Sequence, residues 1–467
     1  MAVTDALAAP PTAAPTPLAP RTRQLLEGPI VPTLLRLAAP NVAVMMTQAL
    51  VSTMDAYFVG WLGAPALAGV ALVFPLVMLM QTMSAGGMGG GVASAIARAL
   101  GAGRRDEAGA LAVHAIVIAV AMAALFTGVI LGAGPALYRA MGGHGATLDA
   151  ALAYSNVVFG GALAYWLVNT LGSIVRGTGV MVLPAGVVAA SGVLYLLLSP
   201  ALILGAGPFP KLGVAGAAVA SVTAFSLGSL ALAAYLVSGR SLVTLTLRGR
   251  RPEWRLFREI LRVGAPGSLN TILTNMTVVI LTGLVGPFGP AALAGYGIGV
   301  RLEYLQIPLV FGFGSALVAM VGTNIGAGRV GRAERVAWVG AGMAAALTGS
   351  IGLLAAVFAR GWMSLFTVDP QVVEIGVTYL RIVGPAYGFF GLGLALYFAS
   401  QGAGRLGWPL LAGSARLVIA AGGGWLAVRT LGLGLPGLFA AMTIALVVFG
   451  GTVAIAVKAG AWRRGRR

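Results

Sequence analysis

VGWLGAPALAG at residues 59–69 returns as VGPFGPAALAG at residues 285–295, 226 positions later. The same displacement carries LLRLAAP (34–40) onto ILRVGAP (260–266). At a displacement of 225, GAGR (101–104) returns unchanged at 326–329, RGTG (176–179) returns as QGAG (401–404), and Pro184 returns as Pro409. A displacement held across so much chain describes a duplicated scaffold, so whatever one half folds into, the other does too.

Composition says what that scaffold is made of. Of 467 residues, 58% are hydrophobic and 9% charged, where water-soluble domains carry about 25% charged residues. Phe209 to Ser238 holds one charge, Lys211, and Leu431 to Val457 holds none. About 20 apolar residues in a helix cross a bilayer core, and in lipid the helix satisfies every backbone polar group within the segment. Apolar runs separated by Gly, Pro and Arg clusters give twelve spans, six per repeat. The expected fold is all-α and integral to the membrane, with twelve transmembrane helices in two parallel six-helix repeats around a central cavity. An even number of spans per repeat leaves both halves in the same orientation, related by an axis along the membrane normal. The expected divisions are an unstructured tail (1–30, rich in Ala and Pro at its start), an N-lobe (31–238), a basic linker (239–258), a C-lobe (259–459) and a basic tail (460–467).

The formal net charge of +18 comes from 30 basic residues against 12 acidic ones. Placing both termini in the cytoplasm puts 23 of the 30 basic residues on that side, among them Arg104, Arg105, Arg329 to Arg335 and Arg463 to Arg467. This bias is the positive-inside signal. It makes the basic surplus a matter of topology and anionic-lipid contact and argues against nucleic acid as a partner. The expected location is the inner (plasma) membrane, as a multi-pass monomer. The chain has no cysteine, which excludes disulfides and thiolate metal sites. It also lacks the Gly-Lys-Ser/Thr of a nucleotide-binding loop, HExxH and GxSxG, so no ATP-driven step, metal or cofactor is expected. GLGLPG (432–437) joins two spans and follows no strand, so it is a chance match to the dinucleotide fingerprint.

Ionisable residues inside a bilayer are costly and mark function. Asp55 lies within the first span, and its repeat position is Leu281. Ser52, Gln48 and Asn41 precede it by three, seven and fourteen residues and form a polar stripe on one face of an apolar helix. Asp55 reads as a carboxylate that takes up and releases a proton or cation. Low-dielectric surroundings disfavour the ionised form of such a group. The alternative is an interfacial Asp held by a loop. Arg301 and Glu303 lie in span 8, two apart and so on different faces. They read as partners for other helices in a structural ion pair, or as a second coupling or substrate site. Arg98, Arg176 and Arg405 read as snorkelling to a nearby interface, and His114 as a packed helix-face histidine. Prolines inside spans, Pro40 and Pro266 among them, free carbonyls and permit hinges. GGMGGG (86–91) permits close helix packing or local unwinding.

LAAPNVAVMMTQALVSTMDAYFVGWLGAPALAGVAL, ALGAGRRDEA, GVAGAAVAS, GPAALAGYGIGVRLEYLQIPL and MVGTNIGAGRVGRAERV occur in that order. Over residues 30–455 the chain resembles the multidrug and toxic compound extrusion (MATE) family, in its bacterial DinF-like branch. The resemblance implies export of amphipathic or cationic small molecules by proton or sodium antiport. It aligns Asp55 and Pro40 with the family's first-helix Asp and the Pro fifteen residues before it, which makes Pro40 the hinge. The family's fifth helix commonly reads N-x-x-x-D-P. Here Tyr195 and Ser199 stand at the Asn and Asp positions, before Pro200, and Ser221 stands where a cation-contacting Thr is common. The second N-lobe carboxylate is thus missing, which implies proton rather than sodium coupling through Asp55, Ser199 and Ser221. Asn41, Gln48, Ser52, Tyr195, Arg301 and Glu303 are the expected cavity residues. Two other readings remain at this point. One is a flippase for lipid-linked or anionic precursors, which arginines 176, 301 and 416 facing the cleft would favour. The other is a membrane-embedded enzyme, disfavoured by the lack of paired acid/base groups.

Overall fold

The computed structural model describes residues 19–245 and 252–463. The side chains of Met46, Ala49, Leu50, Ser52, Thr53 and Ala56 also lie outside the described residues. The described chain is all-helical. Its long helical runs are α1 (Ile30–Gly60), α2 (Ala64–Gly101), α3 (Arg105–Ala140), α4 (Gly145–Gly160 and Ala162–Gly177, bent by 46°), α5 (Val182–Leu204) and α6 (Val214–Val237). The second set is α7 (Trp254–Phe288), α8 (Pro290–Gly326), α9 (Val330–Val357), α10 (Pro370–Gly402), α11 (Gly407–Thr430) and α12 (Gly434–Lys458). Twelve runs in two sets of six match the duplicated pattern. The face that carries the start of α1, the end of α12 and the α6–α7 connection is here called the terminal face. The opposite one is the far face.

The duplication extends to backbone angles. Gly63 and Gly289 open α2 and α8 at φ 94° and 96°, and Gly103 and Gly328 close them at φ 77° and 76°. Those angles are cheap only for glycine, so each turn is specified twice by the same residue type.

The lobes interlock at the terminal face. Leu34 of α1 sits in a core with Val310, Leu317 and Val336 of α8 and α9. Reciprocally, Leu256 and Ile260 of α7 sit in the N-lobe core with Ala108, Leu111 and Ala112 of α3. Each lobe lends the start of its first helix to the other, so the lobes are not independent units as bounded by sequence. Between them α2 crosses α8. A Cβ on Gly101 would collide with the carbonyl of Thr323, and one on Gly326 with the carbonyl of Arg98. Toward the far face the lobes part: the first half of α2 packs within its own lobe, chiefly on α4. The result is a central cleft, floored near the terminal face.

Gly87 and Gly91 allow α2 to lie backbone to backbone against Ser268 and Gly264 of α7. Residues Met83–Met88 of the same run form a π-helical turn. Packing and local unwinding therefore both occur in GGMGGG, the first needing no Cβ and the second supplying a widened turn.

Three boundaries differ from those read in the sequence. Pro20–Glu27 is a helix within the expected tail, with Leu25 and Leu26 buried. It is held because Asn324 Nδ2 donates to the Leu25 carbonyl (3.1 Å) and Arg329 Nη1 to that of Leu26 (3.0 Å). Residues 1–18 lie outside the described residues. Helix α7 starts at Trp254, inside the expected linker, because Glu253 N–H is accepted by His114 Nε2 (2.9 Å) and Phe257 packs on the His114 ring. His114 is thus the structural anchor of that junction. In the C-terminal tail Trp462 is buried and Arg463 pairs with Glu334 (Nε to Oε1, 2.8 Å), which orders the chain to that point. Residues 464–467 lie outside the described residues.

Candidate functional site

The far half of each lobe holds one intramembrane carboxylate, each set in a tyrosine cluster. In the N-lobe, α1 ends in aromatic residues at the far face, and Asp55 lies five residues before that end. Helix α5 presents Tyr195 and Ser199, four apart and so on one face, and both are buried. Tyr195 OH donates to Asp55 Oδ1, and Ser199 Oγ donates to Tyr195 OH at 3.5 Å. The chain Ser199–Tyr195–Asp55 thus runs from a fully buried hydroxyl to the carboxylate. Tyr154 and Tyr165 of α4 stand within electrostatic reach of Asp55. The sequence reading did not single them out, although Tyr154 is repeated as Tyr379 at the displacement of 225. Ser221 does not meet Asp55. It accepts from Tyr165 OH (2.8 Å) and donates to the Ala218 carbonyl (2.8 Å), so it orients Tyr165.

Lower on α1 the polar stripe reaches the cleft floor. Asn41 is buried and its Nδ2 donates to Ser315 Oγ of α8 at 2.7 Å, tying the lobes together. Gln48 is half-buried on the same helix, and the side chain of Ser52 lies outside the described residues. Pro40 lies inside an unbroken α1, one residue from Asn41. It leaves the carbonyl four residues back without its helix donor, directly at the interlobe contact.

In the C-lobe, Glu303 of α8 is buried, and Arg416 Nη2 of α11 donates to its Oε1 at 3.1 Å. Tyr379 OH donates to Oε2 (3.5 Å), and Tyr387 OH donates to Tyr379 OH (3.5 Å). The Arg416 guanidinium lies 5.5 and 5.8 Å from the ring centroids of Phe390 and Phe449. Such contacts stabilise a desolvated cation by up to about 2 kcal/mol. Arg301 takes no part. It is exposed and stands 5.5 Å from the ring of Phe366, in the α9–α10 connection at the far face. Arg301 and Glu303 therefore do different work, as their different helix faces require.

The floor of the cleft is a polar seam around the π-helical turn of α2. Gln401 Nε2 donates to the carbonyls of Gly86 (2.9 Å) and Gly87 (3.3 Å), and Asn169 Nδ2 donates to Ser84 Oγ (2.9 Å). Nearer the terminal face, Arg98 donates to Ser94 Oγ and to the Gly402 carbonyl (3.4 Å), and pairs with Glu259 across the lobes (3.6 Å). Arg98 is an interlobe latch rather than a snorkelling residue. Of the three arginines that would favour a flippase, only Arg176 lines this seam.

Two parallel lobes around a central cleft, with one carboxylate site per lobe, have the architecture of a membrane transporter. The chain belongs to the MatE family, whose model matches residues 40–201 and 266–426, once in each lobe. Members of this family are transporters rather than enzymes. The chain is 27% identical to the FAD transporter of Shewanella oneidensis over 80% of this chain and 82% of that one. It is 28% identical to a probable multidrug resistance protein, NorM, of Thermotoga maritima over 90% of each. A solved MOP-superfamily transporter from Pyrococcus furiosus superposes with a TM-score of 0.88 at 27% identity, covering 96% of this chain and 100% of its own. A solved outward-facing multidrug resistance MATE transporter does so at 0.86 and 26%, with the same coverage.

Proposed function

We propose that this chain is a proton-coupled antiporter that exports amphipathic small molecules, cationic ones among them, from a bacterial cell. Its terminal face lies in the cytoplasm. With that orientation, supported by the sidedness of Arg and Lys, the cleft opens outward. The observation that carries the coupling claim is the contrast in charge compensation. Glu303 has Arg416, whereas the contact that Asp55 makes among the described residues is the hydroxyl of Tyr195.

A carboxylate without a bound cation changes the charge of the cleft when it takes a proton. That change is what a transport cycle has to couple to. One proton crossing with a membrane potential of 100 mV releases about 2.3 kcal/mol, enough to bias a two-state rocking equilibrium by about fifty-fold. The missing fifth-helix carboxylate removes a hard oxygen ligand from any sodium site, which favours the proton. Asp55 would be the proton carrier and Tyr195, backed by Ser199, its positioning donor, with Ser221 acting indirectly through Tyr165. Asn41 and Pro40 would serve the rocking hinge, and Gln48 and Ser52 would line the cleft.

The test is reconstituted transport of ethidium with proton and sodium gradients imposed separately. Efflux driven by the proton gradient alone, and lost in Asp55→Asn at normal expression, is the expected result. Efflux driven by sodium alone, or undiminished in the variant, refutes the coupling.

A further inference from the structure

Arg98 and Arg416 turn their guanidiniums into the bundle, and each meets a carboxylate, Glu259 and Glu303. Arg176 does the same and meets none among the described residues. It sits one residue from the end of α4, at the terminal face, where a snorkelling side chain would run outward to water. Instead its Nη2 donates backwards, to Ser173 Oγ (2.8 Å) and to the Asn169 carbonyl (3.5 Å). Those residues lie three and seven positions earlier, which places the head about 5–10 Å inside the end of the helix at 1.5 Å per residue. A guanidinium carries five N–H donors, so most of its donor capacity is unspent. Holding a cation there without a counter-ion is expensive, and a neutral residue would fill the space more cheaply. The repeat shows this directly, because Gln401 occupies the equivalent position in the C-lobe.

Arg176, which is part-exposed, lines a small cavity of about 20 Å³ with Ser173, Ser315, Phe311, Phe398 and Gln401, so a larger occupant needs the lobes to part. The Phe311 and Phe398 rings meet edge to face at 5.5 Å. Gln401 is fully buried, and its Oε1 has no hydrogen-bond partner among the described residues. The seam therefore offers a cation, an unused acceptor and two aromatic rings between the lobes. We infer that Arg176 binds an anionic group of the transported molecule, a phosphate or a carboxylate carried on an aromatic, amphipathic body, with Gln401 Oε1 accepting from an N–H or O–H of that body. This rests on the exporter reading and extends its substrates from cations to anions.

Binding to the purified full chain tests the assignment without any gradient. The probes are FMN and riboflavin, which share a ring system and differ by one phosphate, each followed by flavin fluorescence. The wild type is expected to bind FMN about tenfold or more tighter than riboflavin, the range for a hydrogen bond to a charged group. Arg176→Gln should erase that ratio and Arg176→Lys should keep part of it. Should the glutamine variant not fold, displacement of FMN by inorganic pyrophosphate in the wild type, weakened in the lysine variant, carries the same test. Adding phosphatidylglycerol to the micelles separates the two sources of phosphate. Displacement of FMN at stoichiometric lipid assigns the site to a lipid headgroup, and its absence assigns it to soluble anions. Equal affinity for FMN and riboflavin in the wild type, or an unchanged ratio in Arg176→Gln, overturns the assignment. Failure of proton-driven ethidium efflux would instead strike the exporter reading and leave the flavin ratio standing.

Discussion

The carboxylate sites of the two lobes are built from one template and have opposite electrostatics. Tyr154 in the N-lobe and Tyr379 in the C-lobe occupy the same repeat position, and each stands near the carboxylate of its lobe. Arg416, however, aligns with Ser191, and Glu303, at the displacement of 226 that holds for the start of α8, aligns with Val77. The C-lobe site holds its negative charge against a cation 3.1 Å away, boxed by Phe390 and Phe449. The N-lobe site holds its carboxyl against a phenol. The ion pair fixes two helices, α8 and α11, to one another. In the proposed cycle the Asp55 carboxyl, which meets the Tyr195 hydroxyl among the described residues, gains and loses its proton without leaving a buried cation unpaired. Under the proposed mechanism the duplicated scaffold supplies symmetric motion, with the N-lobe as the switch and the C-lobe ion pair as the strut.

Variants can break that contrast. The largest effect is expected from Asp55→Asn, which should reduce proton-driven efflux to background. The double variant Glu303→Gln with Arg416→Gln should retain a measurable pH response in the same vesicle assay. If the double variant loses the response as completely, the C-lobe shares the coupling and the contrast fails. Next is stability. Arg416→Met leaves Glu303 buried without its cation and should destabilise the protein by about 3–5 kcal/mol. Joint replacement by Arg416→Met and Glu303→Leu should recover most of that loss, read as unfolding midpoints in detergent. Destabilisation by the double variant as large as by the single one would show that the pair is not the strut.

A smaller and deliberately symmetric effect is expected at the helix crossing. Gly101→Ala and Gly326→Ala each force a Cβ onto a carbonyl of the facing helix. Both should shift the equilibrium away from the closed terminal face, and by similar amounts. The chain has no cysteine, so an introduced Ser94→Cys reports that opening directly through its rate of labelling. Unequal shifts would mean that the mechanics are not shared between the halves. The smallest effect is that of Tyr195→Phe, which removes one hydrogen bond to a charged acceptor, about 1.5–3 kcal/mol. It should slow proton-driven efflux severalfold while Tyr387→Phe, the outermost hydroxyl of the C-lobe chain, leaves it near wild type.

Much of this was legible before any coordinates. The repeat and the twelve helical runs follow from residue identity at fixed spacing, Asp55 stood out as a carboxylate within an apolar span, and the loss of the fifth-helix carboxylate was implied by the family resemblance. The partner of Asp55 was half legible: Tyr195 stood out as the replacement for an Asn, but its hydroxyl had to be brought across from α5. The partner of Glu303 was not legible, because Arg416 lies 113 residues later on another helix and its charge gives no hint of direction. Arg301, the nearer candidate, proved to lean on Phe366. Arg176 and Arg98 were misplaced for a related reason. Position along a helix gives the height of a Cα in the membrane, but a side chain of this length can point its charge either way.

The sequence alone determined the class of fold, since hydrophobic length and internal repetition are properties of the chain that the bilayer reads directly. It also determined that the lobes would differ in charge. The tertiary structure decided which charges meet, that Arg176 turns inward to no carboxylate among the described residues, and at which face the lobes lock. Those outcomes depend on distances between residues far apart in the chain, and electrostatic energy in a low-dielectric interior changes with every ångström of separation.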